Sequence, residues 1–395
     1  MKLKFLCDAI GIACKEEYCD REIEDISTDS RKAKKNAMFV CLRGTQFDSH
    51  NYIQNAIDNG AVCVLTDKDH PKITEQKGIV FLQCDDTRAA LAHLWHAWYG
   101  FPCRDLKIIG VTGTNGKTSV AHMLRTILRT SWHTCGIIGT VGCESEKGVI
   151  ETALDAGLSN LTTPDPRDLY RIFAQMRDED VEYVVMEVSS HAIALDRVAG
   201  VRFDAAAFTN LTEDHLDFHK TMDHYCDTKA ELFRRCEKGV INADDSYAQR
   251  FLDAAQCEVI TTSVAGAGSL SAKNLQLRAD GIDFTAVLNG REVPVCLGIP
   301  GKFTVYNALT VLGLAVSLGI DLADAAGALA DAPGVKGRGE VVPTPGEDYT
   351  ILIDYAHTPD GLENVLSSVR GFCKGELISV FGCGGDRDPI KRPIM

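Results

Sequence analysis

Apolar residues in this chain fall into two rhythms. Short runs at Leu106-Lys107-Ile108-Ile109-Gly110-Val111, Tyr183 to Val188 and Ala205 to Thr209 have the length and composition of strands buried on both faces. Between them lie stretches such as Val120 to Leu128, where apolar side chains recur at helical spacing. Strand runs alternating with helical ones predict an α/β fold, a mainly parallel sheet covered by helices. Upstream, Ala37 to Leu42 and Ala61 to Leu65 read as further strands bounded by turn-formers. Downstream, a β-rich insert is expected around residues 255 to 297 and a helix from about Val305 to Leu318. After Pro333-Gly334 the pattern predicts a strand at Thr350 to Tyr355, a helix from about Pro359 to Val369 and a strand at Leu377 to Phe381. Three domains follow, 1–105, 106–332 and 333–395. Two strands and one helix cannot cover both faces of a parallel sheet, so the third reads as an unfinished, truncated domain.

Composition narrows the chemistry. The chain has 395 residues, 45% hydrophobic and 24% charged, as expected of a soluble protein of two or three domains. A net charge of -14 argues against nucleic acid as a partner, because phosphate-backbone binding needs clustered Lys and Arg. Anionic substrates must instead be met by a few cations, helix N-termini or bound metal. The fifteen cysteines form no C-x-x-C pair and no Cys/His zinc spacing, which reads as reduced thiols in a cytoplasm. Lys2 and Lys4 precede an apolar run that Asp8 interrupts, a structural segment rather than a targeting one. No run approaches the roughly 18 apolar residues of a membrane helix, so no membrane role is expected.

The sharpest chemical signal is Gly110-Val-Thr-Gly113-Thr-Asn-Gly116-Lys117-Thr118-Ser119, set between a strand run and a helical run. In that context backbone N–H groups and a helix N-terminus cradle phosphates, Lys117 neutralises them and the Thr118 hydroxyl can reach magnesium. The spacing is a variant of the usual phosphate loop, since Val111 occupies the place of the first Gly. Glu187 closes the next strand run, where open α/β sheets place ligands. A magnesium role and a salt-bridged Glu are equally compatible with that position alone. His215 and His219 have the i, i+4 spacing of metal ligands, but Leu216 replaces the zinc-protease Glu, leaving helix-surface histidines as the plain reading. Tyr225 to Phe233 reads as an amphipathic helix with Lys229 solvated.

Taken together, Thr28-Asp-Ser-Arg31, Gly113 to Thr118, Thr162-Thr163-Pro164, Met186 to His191, Asn210 to His215, Thr228-Lys229-Ala230, Tyr306-Asn307, Gly337-Arg338 and Asp354 to Asp360 resemble the Mur ligases. Within that family they resemble the branch that adds the third amino acid to UDP-N-acetylmuramoyl dipeptide. The resemblance implies a three-domain architecture with a central phosphate-loop domain and a Rossmann-like C-terminal domain. It also implies ATP, two magnesium ions, a free amino acid as second substrate, diaminopimelate before lysine, and a monomer. Lys229 would be carbamylated and would join Thr118, Glu187 and His215 as metal ligands. Gly113, Thr114, Asn115, Gly116, Lys117, Thr118, Ser119, Asn307, Arg338, Asp354 and His357 match ATP-binding positions. Ser30, Arg31, Asn115, Thr162, Thr163, Ser189 and Arg197 match positions that hold the muramoyl substrate. Lys117, Lys229, Arg338 and His357 would act in catalysis. Two departures stand out. Lys35-Asn36 replaces a Pro-Gly pair, which Asn tolerates because it visits left-handed backbone, and Thr304 stands where Asn is frequent. The family's amino-acid-selecting segment is expected beyond Met395. Folylpolyglutamate synthase shares the loop, but Thr28-Asp-Ser-Arg31 in a separate first domain argues against it. A non-catalytic nucleotide-binding fragment is the remaining alternative.

Overall fold

The computed structural model describes residues 1–44, 48–68, 78–152, 161–278, 280–383 and 391–395. The chain gathers into two compact units. The first comprises Met1–Arg104, Pro164–Gln175 and Ala194–Val201, and the second comprises Asp105–Thr163, Met176–Ile193 and Arg202–Met395.

In the first unit, strands β1 (Asp25–Ser27), β2 (Ala37–Val40), β3 (Ala61–Asp67) and β4 (Val80–Cys84) pair in sequence order, all parallel. Every residue of β2 is buried, as an unbroken apolar run requires. The turn into β2 uses Asn36 at φ 61°, the left-handed backbone expected of the residue that replaces Gly there. The helix Thr87–Trp98 starts on Asp86, whose carboxylate accepts from the N–H groups of Arg88 and Ala89.

The second unit is organised on one large sheet. Its strands are β5 (Lys107–Thr112), β6 (Cys135–Gly139), β7 (Gly142–Ser145), β8 (Gly148–Val149), β9 (Tyr183–Glu187), β10 (Ala205–Phe208), β11 (Lys238–Asn242), β12 (Glu258–Ser263), β13 (Leu270–Arg278), β14 (Gly281–Leu288) and β15 (Arg291–Leu297). Among the described residues their order is β15-β14-β13-β12-β11-β10-β5-β9-β6-β7-β8. The strands from β13 to β6 pair in parallel, and antiparallel hairpins finish both edges. The expected β-rich insert is therefore the continuation of the main sheet. The helix Lys117–Thr130 buries Val120, Ala121, Leu124, Ile127 and Leu128, the i, i+3, i+4 set that its pattern predicts. The helix Lys302–Ser317 is buried on most of its surface, which fits its nearly continuous apolar sequence. Among the described residues no helix is long and apolar enough to cross a membrane.

Beyond Val335 the chain forms an antiparallel pair, β16 (Glu340–Val342) with β17 (Ile351–Ile353), and the helix Pro359–Arg370, whose N-cap Thr358 accepts from the Gly361 N–H. The strand expected at Leu377 to Phe381 is absent; those residues are irregular, with Ile378 and Val380 79% and 94% exposed. A strand is made by its hydrogen-bonded neighbour, and among the described residues this run pairs with no other strand.

Candidate active site

Strand register decides what meets at the carboxyl edge of the large sheet. Val111 of β5 lies opposite Glu187 of β9, and Thr112 lies opposite Phe208 of β10. The residues after these three strand ends therefore converge, which is the usual ligand position in an open α/β sheet.

The glycine-rich turn after β5 is tightly enclosed. Gly113 has φ 143°, and a Cβ there would stand 2.0 Å from the Thr209 hydroxyl. Gly116 caps the helix Lys117–Thr130 with φ 88°, and a Cβ there would stand 2.5 Å from Asn307 Oδ1. The segment after β10 holds the turn like an additional strand. The Asn210 carbonyl accepts from Thr114 N–H at 2.8 Å. Its side chain accepts from Asn115 N–H at 2.9 Å through Oδ1 and donates through Nδ2 to the Asn115 carbonyl at 3.1 Å. The Thr209 hydroxyl donates to the same carbonyl at 2.6 Å.

Two lysines share this turn. Lys117 Nζ donates to the carbonyls of Gly113 and Thr114 at 2.9 and 2.8 Å, and Lys229 Nζ donates to Gly113 O at 3.0 Å. Lys229 is 1% exposed, so the solvated helix-face reading is overturned. The helix Met222–Ala230 turns this position inward under Tyr225, whose ring lies 4.8 Å from Nζ. Burial first, and then the Lys117 ammonium, push the Lys229 amine well below the usual lysine range. Burial also lowers Lys117; Glu187 and Asp214 oppose that shift, while Arg338 adds to it.

Glu187 is 1% exposed. Its Oε1 accepts from the Thr118 hydroxyl at 2.9 Å and from Thr140 N–H at 2.9 Å, and its Oε2 accepts from the Thr140 hydroxyl at 3.0 Å. All three donors are neutral, and no described ion pair involves this carboxylate. A buried carboxylate without a directly bound cation fits a metal ligand better than the salt-bridge alternative. His215 adopts left-handed backbone at φ 54° just before the short helix Leu216–His219. Burial holds its imidazole down at about 4 against the pull of Asp214, with His191, Lys229 and Lys117 reinforcing the effect. The ring is therefore neutral at neutral pH, the state in which a histidine can ligate. His219, expected on a helix surface, is 2% exposed and pairs through Nε2 with Ser190 Oγ at 2.9 Å. Its helix is a single turn packed beneath the site, so i, i+4 spacing does not place it on a free face. Among the described residues no three His, Cys, Asp or Glu side chains are arranged to hold a metal ion by themselves. Magnesium sites commonly use one or two carboxylates and complete their shell with substrate phosphate and water, and Glu187 with Thr118 suits such a site.

Beside the turn opens a cavity of about 480 Å³, lined by Asn115, Ser119 and Asn307 on one side and Arg338, Asp354 and His357 on the other. Asn115 Nδ2 reaches Asp360 Oδ2 at 3.1 Å, tying the turn to the helix Pro359–Arg370. Asp354 accepts from Gly339 and Ala356 N–H groups, each at 2.7 Å, and the Arg338 guanidinium lies 4.4 Å from the Tyr355 ring centre. His357 is exposed, with Nδ1 3.0 Å from the Tyr355 carbonyl oxygen.

The remaining sequence candidates divide between the units. The Thr163 hydroxyl donates to the Glu187 carbonyl at 2.9 Å and accepts from Ser189 N–H at 3.0 Å; the Thr162 hydroxyl lies 3.2 Å from that of Thr140. Ser30, Arg31 and Arg197 belong to the first unit. Arg31 is held on Asp29 by two side-chain bonds of 2.9 and 2.7 Å, and Arg197 pairs with Asp165 at 3.1 Å. Sequence reasoning missed Thr140, which touches both Glu187 oxygens, and the role of Asn210 in holding the turn. Thr140 directly follows the end of β6, and the strand-end rule that selected Glu187 would have found it.

Known proteins resemble this chain over most of its length. Residues 111–315 match the Mur ligase middle domain, 337–395 the Mur ligase glutamate ligase domain, and 22–99 the Mur ligase family catalytic domain. The UDP-N-acetylmuramoyl-L-alanyl-D-glutamate–2,6-diaminopimelate ligase of Clostridium botulinum is 44% identical over 376 residues, 95% of this chain and 76% of that protein. The enzyme of the same name from Clostridium tetani is 40% identical over 398 residues, covering 100% of this chain and 80% of that protein. A solved structure of a ligase of this name superposes with a TM-score of 0.79 at 27% identity, covering 100% of this chain and 80% of that one.

Proposed function

The chain belongs to the Mur ligase family of ATP-dependent amide ligases, and from that membership we propose that it joins 2,6-diaminopimelate to UDP-N-acetylmuramoyl-L-alanyl-D-glutamate in the cytoplasm, as the third amino acid of the peptidoglycan precursor. The observation that carries the reading is the convergence of Lys117, Lys229 and the Thr118–Glu187 pair around one glycine turn, in a chain 44% identical to a ligase of that name.

In this reading residues 1–105 take the uridine nucleotide, 106–332 the ATP, and 333–395 close over it. Ser30, Arg31, Thr162, Thr163, Ser189 and Arg197 orient the muramoyl peptide. The triphosphate lies along Gly113 to Ser119, with Asn307, Arg338, Asp354 and His357 around the nucleotide in the adjoining cavity. The D-glutamyl carboxylate oxygen attacks the γ-phosphorus, an O–P bond forms, and ADP leaves. The incoming amine then attacks the acyl carbon, the C–O bond to phosphate breaks, and an amide and inorganic phosphate result. Lys117 exchanges its loop carbonyls for phosphate oxygens and screens the repulsion between carboxylate and triphosphate. Arg338 supplies a further positive charge at the cavity wall, and His357, which also lines the cavity, is the proposed acceptor of a proton from the amine.

Lys229 is suited to carbamylation, because an amine depressed by burial is neutral enough for its nitrogen to attack carbon dioxide. The neutral amine forms a new C–N bond to carbon dioxide and loses one proton, which gives a carbamate whose oxygens can ligate a cation; starting from the ammonium, two protons leave in all. Thr118, Glu187 and His215 would ligate magnesium, and carbamylated Lys229 would help to hold a second ion. When bound, these ions would supply positive charge that an acidic protein lacks.

The test is phosphate release from ATP by the purified protein. It is expected only when dipeptide substrate and amino acid are both present, with diaminopimelate preferred to lysine. Release that ignores either substrate, or that follows lysine alone, would replace this reading.

A further inference from the structure

The fold brings cysteines together in two places: Cys14 lies within side-chain hydrogen-bond reach of Cys7 and Cys19, and Cys236 Sγ and Cys257 Sγ lie 3.5 Å apart at a pair of adjoining strands. Cys236 enters β11 and Cys257 enters β12, and the parallel ladder between these strands pairs Lys238 with Glu258. Both cysteines precede these strands and stand one residue out of that register, so the thiols meet diagonally from the two strand starts. Both thiols are partly exposed. The segments that carry them are already joined, since Gln256 N–H donates to the Phe233 carbonyl at 3.3 Å and the rings of Phe233 and Phe251 meet edge to face.

We propose that Cys236 and Cys257 are a modification site that closes to an intramolecular disulfide on exposure to a peroxide, as a staple that stabilises the fold without entering the active site. In the first step one thiolate sulfur attacks peroxide, an S–O bond forms, the O–O bond breaks, and hydroxide leaves to become water. In the second step the other thiol attacks that sulfur, the S–S bond forms, the S–O bond breaks, and a second water leaves as the thiol proton is transferred. Both sulfurs are oxidised and the peroxide is reduced. The pair stands at the amino ends of β11 and β12, whereas Glu187 and the glycine turn occupy the carboxyl edge of the same sheet. The bond would close the loop that contains β11 and the helix Ala248–Ala254, restricting the unfolded chain.

The experiment treats the full reduced chain with stoichiometric hydrogen peroxide, blocks remaining thiols by alkylation and maps the peptides by mass. A cross-linked peptide pair joining Cys236 to Cys257 is expected, with loss of two hydrogen masses from the intact protein, reversal by dithiothreitol and a higher thermal midpoint in the oxidised form. Exposed Cys296 and Cys383 serve as internal references and should be alkylated. Cys236→Ser and Cys257→Ser should each abolish the cross-link and the thermal shift. The wild-type peptide map decides the matter even where a variant folds poorly. Full alkylation of both thiols after oxidation, a stable sulfinic acid at either, a bond to another cysteine, or an unchanged or lowered midpoint would each overturn the proposal.

Discussion

At the scale of single residues, Lys229 shows how far a side chain's chemistry depends on what surrounds it. Its sequence neighbours, Tyr225-Cys226-Asp227-Thr228, give no sign that it differs from any lysine on a helix. In the fold it is 1% exposed and shares the Gly113 carbonyl with Lys117. Two buried cations on one carbonyl are unfavourable, and the conflict is relieved when the Lys229 amine gives up its proton. Lys229→Ala is therefore expected to lower the ligase rate by about 100-fold or more, the scale of losing a metal-site group. Lys229→Arg should do no better, because a guanidinium stays protonated and cannot add carbon dioxide. Phosphate release, with folding checked by circular dichroism, measures both. A Lys229→Arg enzyme with near wild-type rate would remove carbamylation from the mechanism. A carbon-13 signal from labelled bicarbonate, present in wild type and absent in the variants, is the accompanying spectroscopic outcome.

At the scale of elements, much of the site was legible because strand ends are legible. The apolar runs ending at Val111, Val188 and Thr209 mark β5, β9 and β10 to within a residue or two, and parallel pairing carries their ends to one edge. The burial of Lys229 and His219 was not legible, since it is set by contacts with segments distant in sequence, the Gly113 turn for the first and Ser190 for the second. The run Leu377 to Phe381 was misread because strand propensity cannot supply a hydrogen-bonding neighbour. The strand-turn-helix element yields its own prediction. Gly116 has φ 88° and almost no room toward Asn307, so Gly116→Ala must strain the backbone and displace the asparagine together. A destabilisation of about 1–3 kcal/mol is expected, as at other strained backbone positions. The apparent ATP affinity should fall with it, while Gly327→Ala, in an open helical position, should leave ATP affinity unchanged. Denaturant unfolding and nucleotide titration read the two effects. A Gly116→Ala enzyme that binds ATP normally would show that the turn relaxes freely.

At the scale of the whole molecule, buried histidines link stability to acidity. His96 in the first unit and His219 in the second are 8% and 2% exposed, and burial pushes both imidazoles down to about 4, with neighbouring histidines adding to the effect. Unfolded histidine titrates near 6.5. Between about 6.5 and about 4 the unfolded chain therefore binds protons that the folded chain refuses, and stability rises with pH across that window. The contribution is complete above about 6.5 and is lost as the pH falls toward 4. Asp204 and Asp245, whose carboxyls burial raises, act in the opposite sense, so the net slope mixes both signs. A difference between proteins isolates the histidine part. His219→Gln removes one titrating ring while keeping a polar group that can reach Ser190. Urea unfolding of wild type and variant at about pH 7.5 and about pH 5.5 should show the wild type losing on the order of 1 kcal/mol more than the variant between the two conditions. Equal losses would mean that His219 takes up its proton in the folded protein as readily as in the unfolded one. Its contact with Ser190 and its place beneath the site would then have to hold an imidazolium, and a positive charge there would disfavour the cations proposed for Glu187 and His215.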